Sequence, residues 1–247
     1  MEFVLDNGSV RVALSTAGGS FTSIKANDRE YLWSGQAPIC FPICGGLRDG
    51  RAMTMGGREV KLARHGFARK QEWKLEEQDD SMVALSLSSA DHAELLEQYP
   101  YPFKIVARYT INSEKVAVSY EVSNEGTEDM PFFVGGHPGF KCPLDEGESY
   151  DDYELRFEQR EAAELCTAVP STGLIDVEHR SKNPMISQNL PLTHELFDFA
   201  ETIFDVLESR VVTLTKKTED KGVRLTFPDM PYLIVWSKPE GDFVAVE

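Results

Sequence analysis

Two histidines of this sequence lie beside glycines in loops, where an imidazole could reach a bound molecule. His65 lies in "ARHGFARK" and His137 in "GGHPGF". Glycine has no Cβ, so a ligand or a neighbouring backbone can approach closely beside it. Two loop arginines, Arg48 and Arg69, and a glutamate that ends an apolar strand pattern, Glu247, accompany them. Imidazole and carboxylate groups together are typical of general acid–base catalysis.

Each of these residues has an ordinary interpretation when it is taken alone. A histidine beside glycine is more often a loop residue than a catalyst, and a loop arginine is usually solvated or in a surface ion pair. The occurrence of all five residues in one sequence favours a shared site. We read the remaining histidines as surface residues and the tryptophans as core or rim residues: His92, His179, His194, Trp33, Trp73 and Trp236.

The composition argues against several classes of partner. The chain has 247 residues, of which 41% are hydrophobic, so it can bury a core. It carries 25 Lys and Arg against 41 Asp and Glu, which gives a formal charge of −16 and a pI near 4.8. This balance disfavours nucleic acid or an anionic membrane as partner. It favours a neutral substrate, or an anionic one that meets a local cationic pocket.

No sequence pattern indicates a metal site, a secretory signal or a transmembrane segment. Cys40 and Cys44 have three residues between them and no second close pair follows, which is not a zinc-site spacing. The N-terminus lacks a charged region followed by an apolar one, and no apolar run of about 18 residues occurs. We therefore expect a cytoplasmic protein with reduced thiols that needs no metal or cofactor and acts on a small molecule.

Apolar and polar residues alternate with a period of two along most of the chain, which predicts β-strands. The pattern occurs in "SVRVAL", "SMVALSLS", "FKIVARYTI", "KVAVSYEVSN", "RVVTLTKK", "GVRLTFPD", "YLIVWSK" and "DFVAVE". Helical signals are limited to "SSADHAELLEQY", with Ser89 or Asp91 as N-cap and Pro100 as its end, and to "LTHELFDF", with Thr193 as N-cap. Many short strands with few helices predict an antiparallel sandwich or barrel in one domain.

Five segments, in this order, resemble the aldose 1-epimerase (galactose mutarotase) superfamily: "FPICGGLRDG", "HGFAR", "YPYPFKIVARYTI", "VSNEGTEDMPFFVGGHPGF" and "PYLIVWSKPEGDFVAVE". They are most similar to its LacX-like branch, near the hexose-6-phosphate mutarotases. The ordered set runs over nearly the whole chain and is more specific than any one segment. The resemblance implies an all-β fold, the antiparallel β-supersandwich with few short helices. It also implies an isomerase that interconverts the α and β anomers of an aldose.

The resemblance further implies roles for individual residues. A histidine at the position of His137 is the general acid, and a glutamate at the position of Glu247 is the general base. A histidine at the position of His65 and an arginine at the position of Arg48 hold sugar oxygens.

An acidic residue ahead of a short apolar step also contacts the sugar in proteins of this kind. The segment "ETIF" makes Glu201 the candidate, with Asp205 as the alternative. The chain stops at Glu247, whereas the proteins that it resembles continue with a proline and an aromatic residue. We therefore expect one domain over residues 1–247 that lacks its C-terminal end, with Glu247 frayed as a last residue.

Anomer interconversion needs neither redox chemistry nor a metal, because the hemiacetal only opens and recloses on its other face. A carboxylate removes the proton of the C1 hydroxyl while an imidazolium protonates the ring oxygen. Histidine suits the acid role because an imidazole ordinarily titrates near neutrality. Two other classes stay open: a non-catalytic carbohydrate-binding module or sugar sensor with the same cleft, and a cupin-like metal enzyme. The metal enzyme ranks lower because no H-x-H pair occurs.

The sequence leaves open whether the sugar is free or phosphorylated. Arg48 and Arg69 could both face it, and arginine suits bidentate phosphate binding. In the alternative, Arg69 pairs with an acidic neighbour such as Glu72, and Arg48 binds a neutral hydroxyl. The free aldose is the main expectation, because one arginine satisfies that pattern and a net charge of −16 repels anions.

Overall fold

A computed structural model describes residues 1–35 and 37–247 of the chain. The chain divides into two units, Met1–His137 and Pro138–Glu247. The paired strands are antiparallel, and the helical segments of the described residues are short 3-10 turns. The all-β antiparallel class predicted from the sequence is therefore confirmed. No described helix is both long and apolar enough to cross a membrane.

Within its described residues, the unit Met1–His137 has twelve strands in four sheets. Their orders are β1-β2-β3-β4, β11-β10-β9-β8, β12-β5 and β6-β7. The strands are β1 (Glu2–Asp6), β2 (Val10–Ser15), β3 (Ser20–Ala26), β4 (Arg29–Glu30), β5 (Ile39–Cys40), β6 (Arg51–Met53), β7 (Glu59–Lys61), β8 (Lys74–Gln78), β9 (Met82–Ser88), β10 (Phe103–Asn112), β11 (Lys115–Asn124) and β12 (Gly135–Gly136). The 3-10 helices are Arg48–Gly50, Ala68–Lys70 and Ala93–Glu97.

In the sheet β11-β10-β9-β8, the burial of each strand matches the apolar pattern of its sequence. In β10 the buried residues alternate with half-buried ones, as a period of two predicts. All seven residues of β9 are buried, and this strand is an interior strand of the sheet, between β10 and β8. On the edge strand β11, Val118 is 38% exposed, whereas Val116, Tyr120 and Val122 pack against the core.

The helix predicted in "SSADHAELLEQY" is wrong in type and in its cap. The segment Ala93–Glu97 is a 3-10 helix, preceded by His92 without a side-chain cap. The side chains of both predicted caps form other hydrogen bonds. The Ser89 hydroxyl accepts the amide hydrogen of Phe103 at 3.0 Å, and the Asp91 carboxylate accepts from the hydroxyl of Ser88. Side chains of this type often bond locally to non-helical backbone instead of capping.

Within its described residues, the unit Pro138–Glu247 has ten strands in three sheets. Their orders are β13-β22-β21-β18, β17-β14-β19-β20 and β15-β16. The strands are β13 (Gly139–Lys141), β14 (Tyr153–Phe157), β15 (Leu165–Val169), β16 (Leu174–Ser181), β17 (Asn189–Pro191), β18 (Thr202–Phe204), β19 (Val211–Lys216), β20 (Gly222–Thr226), β21 (Leu233–Trp236) and β22 (Phe243–Val246). The 3-10 helices are Tyr150–Asp152 and His194–Phe197.

The short turn predicted in "LTHELFDF" is present in this second unit. Thr193 precedes it at the expected cap position, although its side chain makes no capping bond. His194, which we read as a surface residue, is half-buried and stacks on Tyr150 with ring centroids 4.3 Å apart. The apolar ring of Tyr150 thus covers one face of an otherwise polar side chain.

Gly66 lies where two backbone segments of the first unit nearly touch. Its φ is +71°, and a Cβ added there would lie 2.1 Å from the carbonyl oxygen of Phe41. The same carbonyl accepts the amide hydrogen of Phe67 at 3.0 Å, so the approach is held by hydrogen bonding. Any side chain at this position must push the two segments apart.

We expect Gly66→Ala to destabilise the fold much more than Gly8→Ala. Gly8 has a similar φ of +84°, and nothing lies within 4 Å of an added Cβ. Gly8→Ala therefore measures only the cost of placing a side chain on left-handed backbone. That strain costs about 1–2 kcal/mol, and the clash at Gly66 should add at least about 2 kcal/mol. Urea unfolding of both variants measures the difference. Equal losses of unfolding free energy would show that the close approach does not matter.

Candidate active site

His137 is positioned by the short ladder between β5 and β12. In this ladder Gly135 opposes Cys40. The same register continues to His137, whose amide donates to the carbonyl of Pro38 at 3.0 Å. Side chains two residues apart on an extended segment point to the same face, and directly opposed residues share a face. His137 and Cys40 therefore project from one face of this ladder.

His65 lies on the other edge of β5. Its carbonyl accepts the amide hydrogen of Phe41 at 3.3 Å, and the close contact at Gly66 follows it. His65 itself has a φ of +66°, which is uncommon for a residue with a side chain. The two imidazole rings, of His65 and His137, have centroids 5.2 Å apart and planes at 81°. The structure thus brings together the two histidines that the sequence singled out.

The environment of His65 fixes where its ring carries a proton. The Gly45 amide donates to Nδ1 of His65 at 3.1 Å, and Sγ of Cys40 lies 3.4 Å from the same nitrogen. Nδ1 can accept the Gly45 hydrogen only if it is unprotonated. A neutral ring then carries its hydrogen on Nε2. His65 therefore presents an N–H donor on its other side.

His65 is also kept neutral by its surroundings. Its side chain is buried, with 8% exposure, and its pKa is lowered from 6.5 to about 3, with burial as the largest cause. The charges of His137, Arg69 and Arg64 act in the same direction, after burial. Both effects disfavour the charged form of an imidazole. His65 is therefore suited to hydrogen bonding and is not a proton carrier near neutrality.

Arg69 lies near this pair of histidines, on the 3-10 helix Ala68–Lys70. Its Nη2 donates to the carbonyl of Arg64 at 3.1 Å, and its buried Nε has no acceptor among the described residues. The predicted alternative partner, Glu72, accepts the hydroxyl of Thr16 at 2.5 Å. A buried guanidinium nitrogen without an acceptor is costly, and a ligand oxygen would satisfy it.

A pocket of about 220 Å³ adjoins Arg69 in the first unit. Small residues form most of its wall, together with Arg69: Ala17, Gly18, Ser20, Gly35, Ala37 and Pro38. The carbonyl of Pro38 is the one that accepts the amide of His137. The pocket therefore opens beside the backbone that holds His137.

Arg48 begins the 3-10 helix Arg48–Gly50 and is exposed. The cations whose charges lower the pKa of His65 include Arg69 and Arg64. Both arginines therefore act on His65, and the effect of Arg69 is the larger. The contact of Arg48 with a sugar oxygen stays a prediction.

In the second unit, Glu247 continues β22 and is half-buried. Its amide donates to the carbonyl of Ile234 at 2.8 Å, and its carbonyl accepts the Ile234 amide hydrogen at 2.9 Å. The expectation of a frayed last residue is wrong, because β21 extends far enough to pair with it. The backbone of Glu247 is held on both sides of its Cα.

Glu201 precedes β18 and is half-buried. In the pairing of β18 with β21, Ile203 opposes Ile234, which is the residue that pairs with Glu247. Alternation along the strand then places the side chains of Glu201 and Glu247 on one face of this sheet. The role of Glu201 as a sugar contact stays a prediction.

Asp205, the alternative to Glu201, is engaged in an ion pair. Arg180 donates two hydrogen bonds to its carboxylate, at 2.9 and 2.7 Å. The Arg180 guanidinium holds the pKa of this carboxyl below its ordinary value. A carboxylate with this bidentate partner is less available to a sugar hydroxyl, so Glu201 is the better candidate.

Sequence reasoning missed the two groups that set the state of His65. The Gly45 donor is a backbone amide, which has no side-chain signature. The spacing of Cys40 from Cys44 bears only on metal binding and gives no sign of a contact with His65. The paired glycines in "ICGGLRDG" were the available signal, since glycine marks places where backbone comes close to another group.

We expect the His65 ring to stay neutral down to strongly acidic pH. Its folded pKa is about 3 and its ordinary value is 6.5, so below pH 6.5 the unfolded chain binds a proton that the folded chain does not. The contribution of His65 to stability is thus most favourable above that pH and falls as the pH drops towards 3. NMR titration should show no His65 transition between about pH 5 and 8.

A matched variant checks the same prediction through stability. Between about pH 7 and 5, His65→Gln should lose less unfolding free energy than the wild type, because glutamine takes up no proton in either state. A His65 midpoint near its ordinary pKa, or identical pH dependence in both proteins, would contradict the neutral, buried imidazole.

Comparison with known proteins identifies relatives along the whole chain. The family model described as Aldose 1-epimerase matches residues 1–245. The plasmid-borne protein LacX of Lactococcus lactis subsp. lactis is 40% identical over 261 residues, which covers 100% of this chain and 87% of that protein. The family match and this relative confirm the resemblance that the sequence motifs predicted.

Solved structures agree with this result. A galactose mutarotase related enzyme from Lactobacillus acidophilus is 27% identical, with a TM-score of 0.88 over 100% of this chain and 84% of that chain. A galactose mutarotase-like protein from Lactobacillus casei ATCC 334 is also 27% identical, with a TM-score of 0.86 over 100% and 86%. These neighbours confirm the predicted galactose mutarotase-like fold, and with the family match they show that the chain belongs to the aldose 1-epimerase family.

Proposed function

We propose that this protein interconverts the α and β anomers of an aldose by acid–base opening and reclosure of the sugar ring. The observation that carries the proposal is the pair of imidazoles, His65 and His137, with centroids 5.2 Å apart and different environments. One ring is held neutral as a hydrogen-bond donor, which leaves the other to transfer protons. Family membership supports a sugar substrate for this pair.

We assign Glu247 as the base that works with His137. β22 pairs with β13, and the Val246 amide extends this pairing to the carbonyl of Pro138 at 3.1 Å. The backbone of Glu247 is thus held within a paired strand, which suits a carboxylate that must keep one position as a general base.

The proposed reaction balances without any external reactant. The Glu247 carboxylate removes the proton of the C1 hydroxyl, the bond between C1 and the ring oxygen breaks, and the His137 imidazolium protonates that oxygen. Rotation of the resulting aldehyde exposes its other face. The neutral His137 then takes the proton back from the hydroxyl as it attacks C1, and protonated Glu247 returns its proton to the new C1 hydroxyl.

His65 and Arg69 would hold the sugar during these steps. The Nε2–H of His65 can donate to a sugar oxygen, and its low pKa keeps it from competing with His137 as an acid. The Nε of Arg69 is a donor in need of an acceptor. Fixed donors that need no rearrangement during the reaction favour catalysis.

We expect His137→Asn and Glu247→Gln each to reduce the catalysed rate by about 10²–10⁴-fold with the fold intact. His179→Asn is the matched control, because this histidine side chain is 84% exposed and lies on a different sheet. Polarimetry on freshly dissolved α-anomers measures the rate. A near wild-type rate in either site variant would remove that residue from the mechanism.

The same assay separates the enzyme from a non-catalytic sugar-binding module. A sugar that binds by calorimetry, while its anomers equilibrate no faster than in buffer, would overturn the proposed function. A panel of free hexoses should be used, so that a narrow preference is not mistaken for inactivity.

The Arg69 pocket makes a phosphorylated aldose the second candidate substrate. For the substrate that the protein uses, we expect Arg69→Ala to lower kcat/KM by about 10–100-fold, because a charged hydrogen bond is worth about 1.5–3 kcal/mol. Arg69→Lys is the matched control that keeps the charge but loses the planar fork. An unchanged kcat/KM in Arg69→Ala would contradict this role.

A comparison of free hexoses with their 6-phosphates decides between the two substrates. Equal or better kcat/KM on the free sugar supports the main proposal. A preference for the phosphate that weakens with salt, and that Arg69→Ala removes, would instead identify the phosphorylated sugar.

A further inference from the structure

The thiol of Cys40 and the loop that carries Cys44 both contact His65. Sγ of Cys40, a buried residue, lies 3.4 Å from Nδ1 of His65. The amide of Gly45, the residue after Cys44, donates to the same nitrogen at 3.1 Å. The carbonyl of Gly45 accepts the amide hydrogen of His65 at 2.7 Å, so two hydrogen bonds hold this loop against His65. Cys44 is therefore fixed close to Cys40 through the residue that follows it.

The ladder between β5 and β12 supports the same proximity from the other side. Gly135 opposes Cys40 in this ladder, and directly opposed side chains have Cβ atoms about 4.5–5.5 Å apart. Gly135 has no side chain, and Sγ of Cys44 lies 3.3 Å from the place where its Cβ would be. The thiol of Cys44 thus fills the space next to Cys40 that a side chain at position 135 would fill.

A third group, the phenol of Tyr120, is close to both cysteines. Burial raises the pKa of Tyr120 above its ordinary value, and the charges of Cys40 and Cys44 act in the same direction. Such charge effects weaken with distance, so both sulfur atoms lie in the neighbourhood of one phenol oxygen. Three separate observations therefore agree that Cys40 and Cys44 are neighbours.

The other two cysteines, Cys142 and Cys166, belong to the second unit and differ in accessibility. Both are buried, and burial raises the pKa of each thiol, which makes it unreactive. Cys44 is exposed, so a dissolved oxidant can reach its sulfur. Cys40 is 2% exposed, so it can react only with a group that already lies beside it. The first unit thus pairs an accessible sulfur with a buried neighbour.

We propose that Cys40 and Cys44 form a modification site, at which a hydroperoxide joins the two thiols in a reversible disulfide. The effect of this disulfide on catalysis rests on the proposed function, which places an aldose at His65. An exposed cysteine with a second cysteine beside it is typical of redox sensors, because the second thiol traps the first oxidation product before it is oxidised further.

The reaction balances with hydrogen peroxide as the oxidant. The sulfur of Cys44 attacks one peroxide oxygen, the O–O bond breaks, and the thiol proton leaves with the second oxygen as water. The sulfur of Cys40 then attacks Sγ of Cys44, the S–O bond breaks, and a second water leaves with the proton of Cys40. Two thiols are oxidised and one peroxide is reduced. A dithiol reverses the change by thiol–disulfide exchange.

The disulfide changes the contacts that fix His65. Formation of the S–S bond draws the loop with Cys44 and the side chain of Cys40 towards each other. The Cys40 sulfur and the Gly45 amide are the two groups now in contact with Nδ1 of His65, and both are displaced. The oxidised protein therefore holds the His65 ring in a different position from the reduced protein.

Mass spectrometry tests the modification without any sugar. The full chain is treated with hydrogen peroxide, alkylated and digested with trypsin, which releases residues 30–48 with both cysteines in one peptide. In the wild type we expect this peptide to lose two hydrogens and to resist alkylation. Cys40→Ser should instead add oxygen to Cys44, because the thiol that traps the first product is gone. Cys166→Ser is the matched control and should behave as the wild type.

Polarimetry tests the effect on the site. Peroxide should lower the catalysed rate of the wild type by about 10–100-fold, since a misplacement of about 1 Å can cost about 10²-fold. Dithiothreitol should restore the rate. Cys44→Ser should keep its own rate through the same treatment. This variant also controls for oxidation of exposed methionines such as Met55, which is present in both proteins.

The two measurements separate the modification site from the proposed function. A wild-type peptide 30–48 that keeps two alkylated thiols, or that gains oxygen without losing two hydrogens, would reject the modification site. A disulfide in this peptide that leaves the catalysed rate unchanged would reject its effect on His65. Absence of sugar turnover in the reduced protein would overturn the proposed function, while the mass of the peptide would still decide whether the disulfide forms.

Discussion

The carbonyl oxygen of Phe41 accepts the amide hydrogens of Phe67 and Ala68, at 3.0 and 3.3 Å, and leaves no room for a side chain at Gly66. The position of His65 depends on this contact, because His65 immediately precedes Gly66. The ring of Phe41 is in turn fixed in the core, with aromatic neighbours that include Phe103 at 5.2 Å. The site is therefore built on the backbone of the core, and its precision does not depend on a flexible loop.

The two histidines differ in chemistry because their surroundings differ. Burial and the Gly45 amide commit His65 to one neutral form. In a chain with a formal charge of −16, Arg64 and Arg69 provide local positive charge around it. Such charge attracts electron-rich oxygen atoms without requiring an anionic substrate. This local charge and the Nε2–H of His65 are the donors that the described part of the site offers to a ligand oxygen.

The sequence predicted the elements whose signal is local and missed those that depend on tertiary contacts. Alternation identified β10 because one of its faces is buried, and glycine-flanked histidines identified His65 and His137. The cap assigned to Ser89 failed because its hydroxyl bonds to Phe103, fourteen residues later in the sequence. The fraying expected for Glu247 failed because pairing with Ile234 is a long-range property. The amide of Gly45 could not be identified from residue type at all.

The segment 38–42 begins and ends with proline, and this feature constrains how such sequences can change. Pro38 and Pro42 accept hydrogen bonds from the facing segment but have no N–H to return. A slip of two residues would put a proline, which has no N–H to donate, where Cys40 now pairs with Gly135. Insertions in the loops that follow could be absorbed at the surface during evolution. A single insertion inside this segment would instead turn Phe41 away from the core that it now fills, so the length of the segment is constrained more strictly than the length of those loops.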